Sequence, residues 1–219
     1  MWCVVDLSKT ADTETDDLEE MCRYAVNLSH GELIDIAIDG FCTNESILYI
    51  ANRSALQVFC FSFITFDLQI YFPELSTECI KTIGLSCPLL KSFTYENCEH
   101  PGAPCDNKAI AVAEKMQGLC RLSLFGIALT EKGVRAILDG CPYLESLDLR
   151  RSFNVTTLEG YLGGRCKEIK HLKHPTDPIS YYEVLQYVEG NMLFLDSSRN
   201  GLCREKRLHG VLPDALCIC

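Results

Sequence analysis

Cys87-Pro88-Leu89-Leu90-Lys91-Ser92-Phe93-Thr94-Tyr95 and Cys141-Pro142-Tyr143-Leu144-Glu145-Ser146-Leu147-Asp148-Leu149 spell one pattern twice, C-P-x-L-x-S-φ-x-φ, where φ is a large apolar residue. A third copy lies between them, Met116-Gln117-Gly118-Leu119-Cys120-Arg121-Leu122-Ser123-Leu124, which keeps the leucine spacing and lacks the Cys-Pro pair. Equivalent leucines are 25 residues apart from Leu119 to Leu144 and 29 apart from Leu90 to Leu119, the longer interval holding His100-Pro101-Gly102-Ala103-Pro104. Ahead of each copy, apolar residues recur at helical steps: Ile80 and Ile83, then Ala109, Val112 and Ala113, then Val134, Ile137 and Leu138. Such spacing marks one buried helix face. Asn107 and Thr130 offer polar starts for the second and third of these helices.

Each unit is therefore a strand, a turn and a helix. One unit cannot bury both its apolar faces alone, so neighbours must stack. The period and the L-x-x-L-x-L core are those of leucine-rich repeats. The expected fold class is α/β, a leucine-rich-repeat solenoid: a short curved stack of parallel strands with outer helices. Phe93, Leu122 and Leu147 should then lie on adjacent strands and share one interior. Leu119, Leu122 and Leu124 point inward, and Cys87 and Cys141 bury small thiols where helix turns to strand. Strand alternation puts Ser92, Thr94 and Glu96, then Arg121, Ser123 and Phe125, then Ser146, Asp148 and Arg150 on the concave face. That ladder of charges, hydroxyls and one aromatic suits contact with a protein; the bland reading is a solvated strand face.

Nearer the N-terminus the pattern loosens. Gly31-Glu32-Leu33-Ile34-Asp35-Ile36-Ala37-Ile38 alternates as a strand, Ser46-Ile47-Leu48-Tyr49-Ile50-Ala51 reads as a helix, and Leu56-Gln57-Val58-Phe59-Cys60-Phe61 repeats the strand spacing. Leu68 and Ile70 look like a further strand, but they follow Phe59 and Phe61 by only 9 residues, too few for a helix between. A shortened repeat is expected there. The organisation read from the chain is an acidic linker and N-terminal helix over 1–30, repeats over 31–172, and an irregular tail over 173–219.

The formal net charge of −10 opposes a phosphate backbone, so no nucleic-acid partner is expected. Seven of the acids fall between Asp6 and Glu20, against Lys9 alone, as in a solvated linker. The stretch Ala55–Phe72 is apolar and carries one formal charge, Asp67, but its aromatics and its polar Gln57, Ser62, Thr65 and Gln69 favour buried strands over a membrane span. Met1-Trp2-Cys3-Val4-Val5-Asp6 does not read as a signal peptide. The fourteen cysteines are then small buried thiols of a reducing compartment, cytoplasm or nucleus. Without secretion the sequons at Asn27, Asn44, Asn52 and Asn154 are chance matches.

No chemistry emerges from the motifs. Cys98, His100 and Cys105, and separately Cys217 and Cys219, lack the paired spacing of structural zinc, so no metal is expected. No phosphate-binding loop, dinucleotide fingerprint, nucleophile elbow or zincin helix is present, and no cofactor is expected. His30, His100, His171, His174 and His209 keep no triad-like spacing to an acid or a nucleophile. Arg204, Lys206 and Arg207 read as an exposed basic end.

With these residues in view, the chain resembles the plant F-box/leucine-rich-repeat proteins, substrate-recognition subunits of cullin-based ubiquitin ligases. The resemblance is carried by Asp17–Val26, Leu48–Ser54, Ser86–Phe93 and Leu138–Arg150, and it is most specific in the last two. It spans roughly residues 1–172 and fades after His174. It implies a non-enzymatic adaptor of an SCF-type E3 ligase, with a protein target on the concave face and the target's degradation as the outcome. Family members carry an F-box ahead of the repeats, which docks on the ligase adaptor. Met1–Asp6 resembles the segment following that box, so adaptor and cullin are expected partners only where an F-box is present. The alternative expectation is a ligase-independent protein-binding repeat module or truncated paralogue.

Overall fold

The computed structural model describes residues 3–7, 15–39, 42–63, 75–97, 104–152, 154–156 and 158–178. Seven strands and six helices alternate along these residues: β1 (Val4–Leu7), α1 (Thr15–Leu28), β2 (Asp35–Asp39), α2 (Asn44–Ala51), β3 (Val58–Phe63), α3 (Thr77–Ser86), β4 (Ser92–Asn97), α4 (Asp106–Lys115), β5 (Arg121–Ser123), α5 (Glu131–Gly140), β6 (Ser146–Asp148), α6 (Gly160–Cys166) and β7 (His171–Lys173). The strands form one sheet in sequence order, and every pairing is parallel. This is the stacked strand–helix architecture of a leucine-rich-repeat solenoid.

The register explains the stack. Val5, Ile36, Phe59, Phe93, Leu122, Leu147 and Leu172 sit opposite one another across the seven strands. The first six are no more than 2% exposed, so one apolar rung runs through the interior. A second rung, Leu7, Ile38, Phe61 and Tyr95, lies two residues on. Phe59 stacks on Phe93 with ring centroids 5.8 Å apart, and Phe61 on Tyr95 at 6.1 Å. The expectation that Phe93, Leu122 and Leu147 share one interior holds.

Helices close the other side through Ile80, Ile83, Ala109, Val112, Val134, Ile137 and Leu138, all buried. Two glycines let them approach. A Cβ on Gly84 would lie 2.6 Å from Lys115 Cβ, and one on Gly140 would lie 2.6 Å from the Ala113 carbonyl oxygen. Thr43, Ser76 and Thr130 cap α2, α3 and α5 by accepting from Ser46, Cys79 and Lys132 N–H groups. The Asp106 carboxylate in turn accepts from the Thr130 N–H at 2.8 Å and hydroxyl at 2.6 Å, tying the start of α4 to that of α5.

The repeat cysteines behave as small buried donors. Cys87 and Cys141 are each 2% exposed and point their thiols at the carbonyls of Ala51 and Met116, 3.7 and 3.8 Å away. Burial pushes both thiols up to about 11, far from the thiolate that redox chemistry needs.

Two expectations are corrected. The sheet begins at Val4 rather than at residue 31, because Val5 and Leu7 supply the same inward alternation in a strand of only 4 residues. Helix α4 begins at Asp106, so Asn107 lies inside it; Cys105 occupies the cap position without a side-chain hydrogen bond. Of the apolar stretch from Ala55 to Phe72, Val58–Phe63 is a strand. Leu68 and Ile70, and the tail from 179 onward, lie outside the described residues. No helix among the described residues is long and apolar enough to cross a membrane.

Candidate protein-binding face

Residues alternating with the buried rungs form the open face of the sheet. One row across it is Val4, Asp35, Val58, Ser92, Arg121, Ser146 and His171. The next row is Asp6, Ala37, Cys60, Thr94, Ser123, Asp148 and Lys173. Glu96 follows Thr94 on β4, again opposite in sense to the buried Tyr95. The sequence-predicted residues thus gather on one surface, but their exposure differs. Arg121 is exposed; Thr94, Glu96, Ser123 and Ser146 are half-buried; Ser92 is nearly covered at 8%. The Ser123 hydroxyl is screened from solvent and has no hydrogen-bond partner among the described residues.

Phe125, Asp148 and Arg150 depart from the expectation of an accessible ladder. Strand β5 ends at Ser123, so two-residue alternation no longer governs Phe125, which is 1% exposed. The guanidinium carbons of Arg150 and Arg151 lie 5.3 and 5.9 Å from its ring centroid and cover it. Arg150 folds back on Asp148, its Nη2 donating to Oδ2 at 2.7 Å and its Nε contacting both carboxylate oxygens at 3.0 and 3.1 Å. The Arg150 N–H donates to Oδ1 at 3.1 Å, and Lys173 Nζ lies 3.3 Å from Oδ2. Burial raises the Asp148 carboxyl, but the hydrogen bonds from Arg150 and the charges of Arg150 and Lys173 outweigh it and hold the group below the ordinary carboxylate range. These side chains brace the face more than they present themselves.

Other residues of the surface escaped the sequence reading. Asp6 and Val4 belong to β1, where the sequence reads as linker, and Asp35, Ala37, Val58 and Cys60 belong to strands evident in the sequence. His171 and Lys173 extend it at the far edge. The available signal was alternation: Asp35 and Ala37 lie between Ile34, Ile36 and Ile38 in sequence. The Asp35 carboxyl is pushed up by burial and by the neighbouring Asp6 charge, partly offset by Arg121.

Among the described residues no group of His, Cys, Asp and Glu is placed to hold a metal ion. Of the clusters tested in sequence, Cys98, His100, Cys217, Cys219 and the basic Arg204, Lys206 and Arg207 lie outside the described residues. His30, His171 and His174 are exposed.

No protein-family profile matches the chain. Individual relatives do. It is 41% identical over 202 residues to "Putative F-box/LRR-repeat protein 23" of Arabidopsis thaliana, covering 81% of this chain and 44% of that protein. It is 38% identical over 199 residues to "F-box protein SKIP19" of the same plant, covering 82% of this chain and 65% of that protein. A third, "Putative F-box protein At4g05475", is 34% identical over 214 residues, covering 83% of this chain and 68% of that protein. The chain spans less than two thirds of the first two relatives' length. The repeat register, the buried rungs and these identities agree: the chain belongs to the plant F-box/leucine-rich-repeat protein family.

Proposed function

We propose that this chain is the target-binding part of an SCF-type E3 ubiquitin ligase, recruiting a protein through the open face of its sheet for ubiquitination and proteasomal degradation. The observation that carries the reading is the seven-stranded parallel sheet, whose open face carries one row in register from Asp6 through Ala37, Cys60, Thr94, Ser123 and Asp148 to Lys173. A rigid polar sheet face is a scaffold for recognising a partner's surface, and side chains on it can vary without disturbing the apolar rungs beneath. The relatives' names contain the F-box, and in such a protein the F-box would join adaptor and cullin while the repeats hold the target. The chain does no covalent chemistry in this reading. It raises the target's concentration beside the ubiquitin-bearing enzyme. Its place of work is the cytoplasm, the nucleus or both, and it needs neither cofactor nor metal, nucleic acid nor membrane.

A photo-crosslinking residue in place of Thr94 tests this. The expected outcome is capture of a protein that accumulates when the gene is silenced and that loses ubiquitin conjugates with it. Capture of a protein whose turnover is indifferent to this chain moves the reading to the second one, a ligase-independent binding module. Capture of nothing at Thr94 removes the open face as the binding surface.

A further inference from the structure

We propose that the edge where helices turn into strands carries a second docking site, a notch between Lys91 and Tyr143 that takes a short linear peptide presenting a large apolar side chain beside a carboxylate. The notch lies ahead of the strands rather than on the sheet face, so it stands independently of the recruitment reading.

Four repeats make the same turn into their strands. The N–H groups of Leu90, Leu119, Leu144 and Ile169 donate to the carbonyls of Cys87, Met116, Cys141 and Cys166. The residue just before each donor therefore occupies one equivalent position, held in turn by Leu89, Gly118, Tyr143 and Glu168. Leu89 and Tyr143 stand out into solvent, 58% and 68% exposed, while Gly118 puts no side chain between them. The Lys91 side chain reaches into this open step: a Cβ on Gly118 would lie 3.7 Å from its Nζ. A cleft of about 410 Å³ opens there, lined by Lys91 and Cys120 on one side and by Pro142, Tyr143, Leu144 and Glu145 on the other. Clefts that hold ligands run from roughly 300 to 1,000 Å³, so this one has room for a pair of side chains.

Charge decides the occupant. Lys91 Nζ donates to the Gly118 carbonyl at 3.2 Å, and among the described residues no carboxylate pairs with it. Glu145, the one acid of the lining, is engaged by Lys170 at 3.0 Å, and Glu168 at the next turn by Arg165 at 2.9 Å. One ammonium thus remains to be matched, in a chain whose net charge is −10. A single carboxylate matches it, whereas a phosphate dianion would bring surplus negative charge beside Glu145. On the opposite wall the Tyr143 ring and Pro142 offer an apolar surface that an aromatic side chain can cover. A basic segment is repelled by Lys91, and a wholly apolar one covers the ammonium without replacing its water, so both are disfavoured.

Three fluorescein-labelled peptides of about eight residues, with blocked ends, provide the test, titrated against the full chain by anisotropy at low ionic strength. The first carries Phe-Asp in a Gly-Ser frame, the second Phe-Asn and the third Ala-Asp. The first is expected to bind about tenfold more tightly than either of the others. Lys91→Gln should bring the Phe-Asp peptide down to the level of Phe-Asn, and Tyr143→Ser should bring it down to that of Ala-Asp. Gly118→Leu, which fills the notch at a position where the preceding repeat already carries Leu89, should abolish binding of all three. Should Gly118→Leu fail to fold in a thermal melt, Lys91→Gln and Tyr143→Ser, both at exposed positions, carry the test. Absence of Phe-Asp binding up to about 1 mM, equal binding of the three peptides, or a preference that survives Lys91→Gln or Tyr143→Ser overturns the proposal.

Discussion

The two halves of the sheet reach the same ladder by different means. In β2, β3 and β4 the strands run 5 or 6 residues, and on β3 and β4 the core is aromatic, with Phe59 on Phe93 and Phe61 on Tyr95. In β5, β6 and β7 the strands shrink to 3 residues and the rung is leucine throughout, Leu122, Leu147 and Leu172. The aromatic half depends on long registers that keep flat rings in contact. Capped helices and close glycine approaches occur in both halves, and the leucine half adds the buried Asp148–Arg150 ion pair. A repeat family can therefore trade side-chain volume for local order while the backbone spacing stays fixed, because the sheet sets that spacing and the side chains fill what remains.

Substitutions can break this contrast. The largest effect is expected from Phe93→Ala, which removes a fully buried ring from between Phe59 and Leu122 and should cost about 4 kcal/mol of stability in urea unfolding; Leu147→Ala should cost about 3. Equal losses would erase the distinction between the halves. Asp148→Asn comes next. It leaves the Arg150 guanidinium buried with a weakened partner, an expected loss of about 3 kcal/mol that belongs only to the leucine half. Gly140→Val drives side-chain atoms into the Ala113 carbonyl and should cost about 2 kcal/mol, read as a lowered melting temperature. Thr130→Ala removes one cap and one link to Asp106 for about 1 kcal/mol.

A pH experiment sharpens the comparison from the other side. Lys108 is 6% exposed, its ammonium donates to the Tyr95 hydroxyl at 3.2 Å, and burial lowers it from its ordinary 10.5 to about 8. A base depressed in the folded state binds fewer protons there than in the unfolded chain, so its contribution to stability grows as pH rises from about 8 to 10.5. The thiols of Cys87 and Cys141, raised from 9.0 to about 11, act in the opposite sense and lose stability as pH rises through that interval. The Lys108→Met variant isolates the first term: its stability should rise less with alkali than that of the parent, in paired urea titrations across the window. Parallel curves would show that the lysine is not paying a burial cost.

What the sequence revealed divides along physical lines. Periodic features were legible, since Leu90, Leu119 and Leu144 repeat at fixed intervals and Phe93, Leu122 and Leu147 fall in register as that repetition requires. Thr130 was legible as a cap because its chemistry is local. Strand β1 was not, because Val4–Leu7 offers only 4 residues beside an acidic run. On the open face, alternation located Arg121, Ser123 and Ser146 but failed at Phe125, two residues beyond the point where pairing stops. The Asp148–Arg150 pair also escaped: two charges at alternating positions look like surface until the guanidinium is seen folded back on the carboxylate.

The cysteines that close helices α3 and α5 have a practical corollary. Cys87 and Cys141 are sealed by their own repeats, each thiol hooked to a carbonyl of the unit before it. An alkylating reagent gains entry only when that unit parts from its neighbour. The molecule thus carries internal counters of its own unzipping, and the order in which labels accumulate in dilute denaturant would chart the sequence in which its turns come undone.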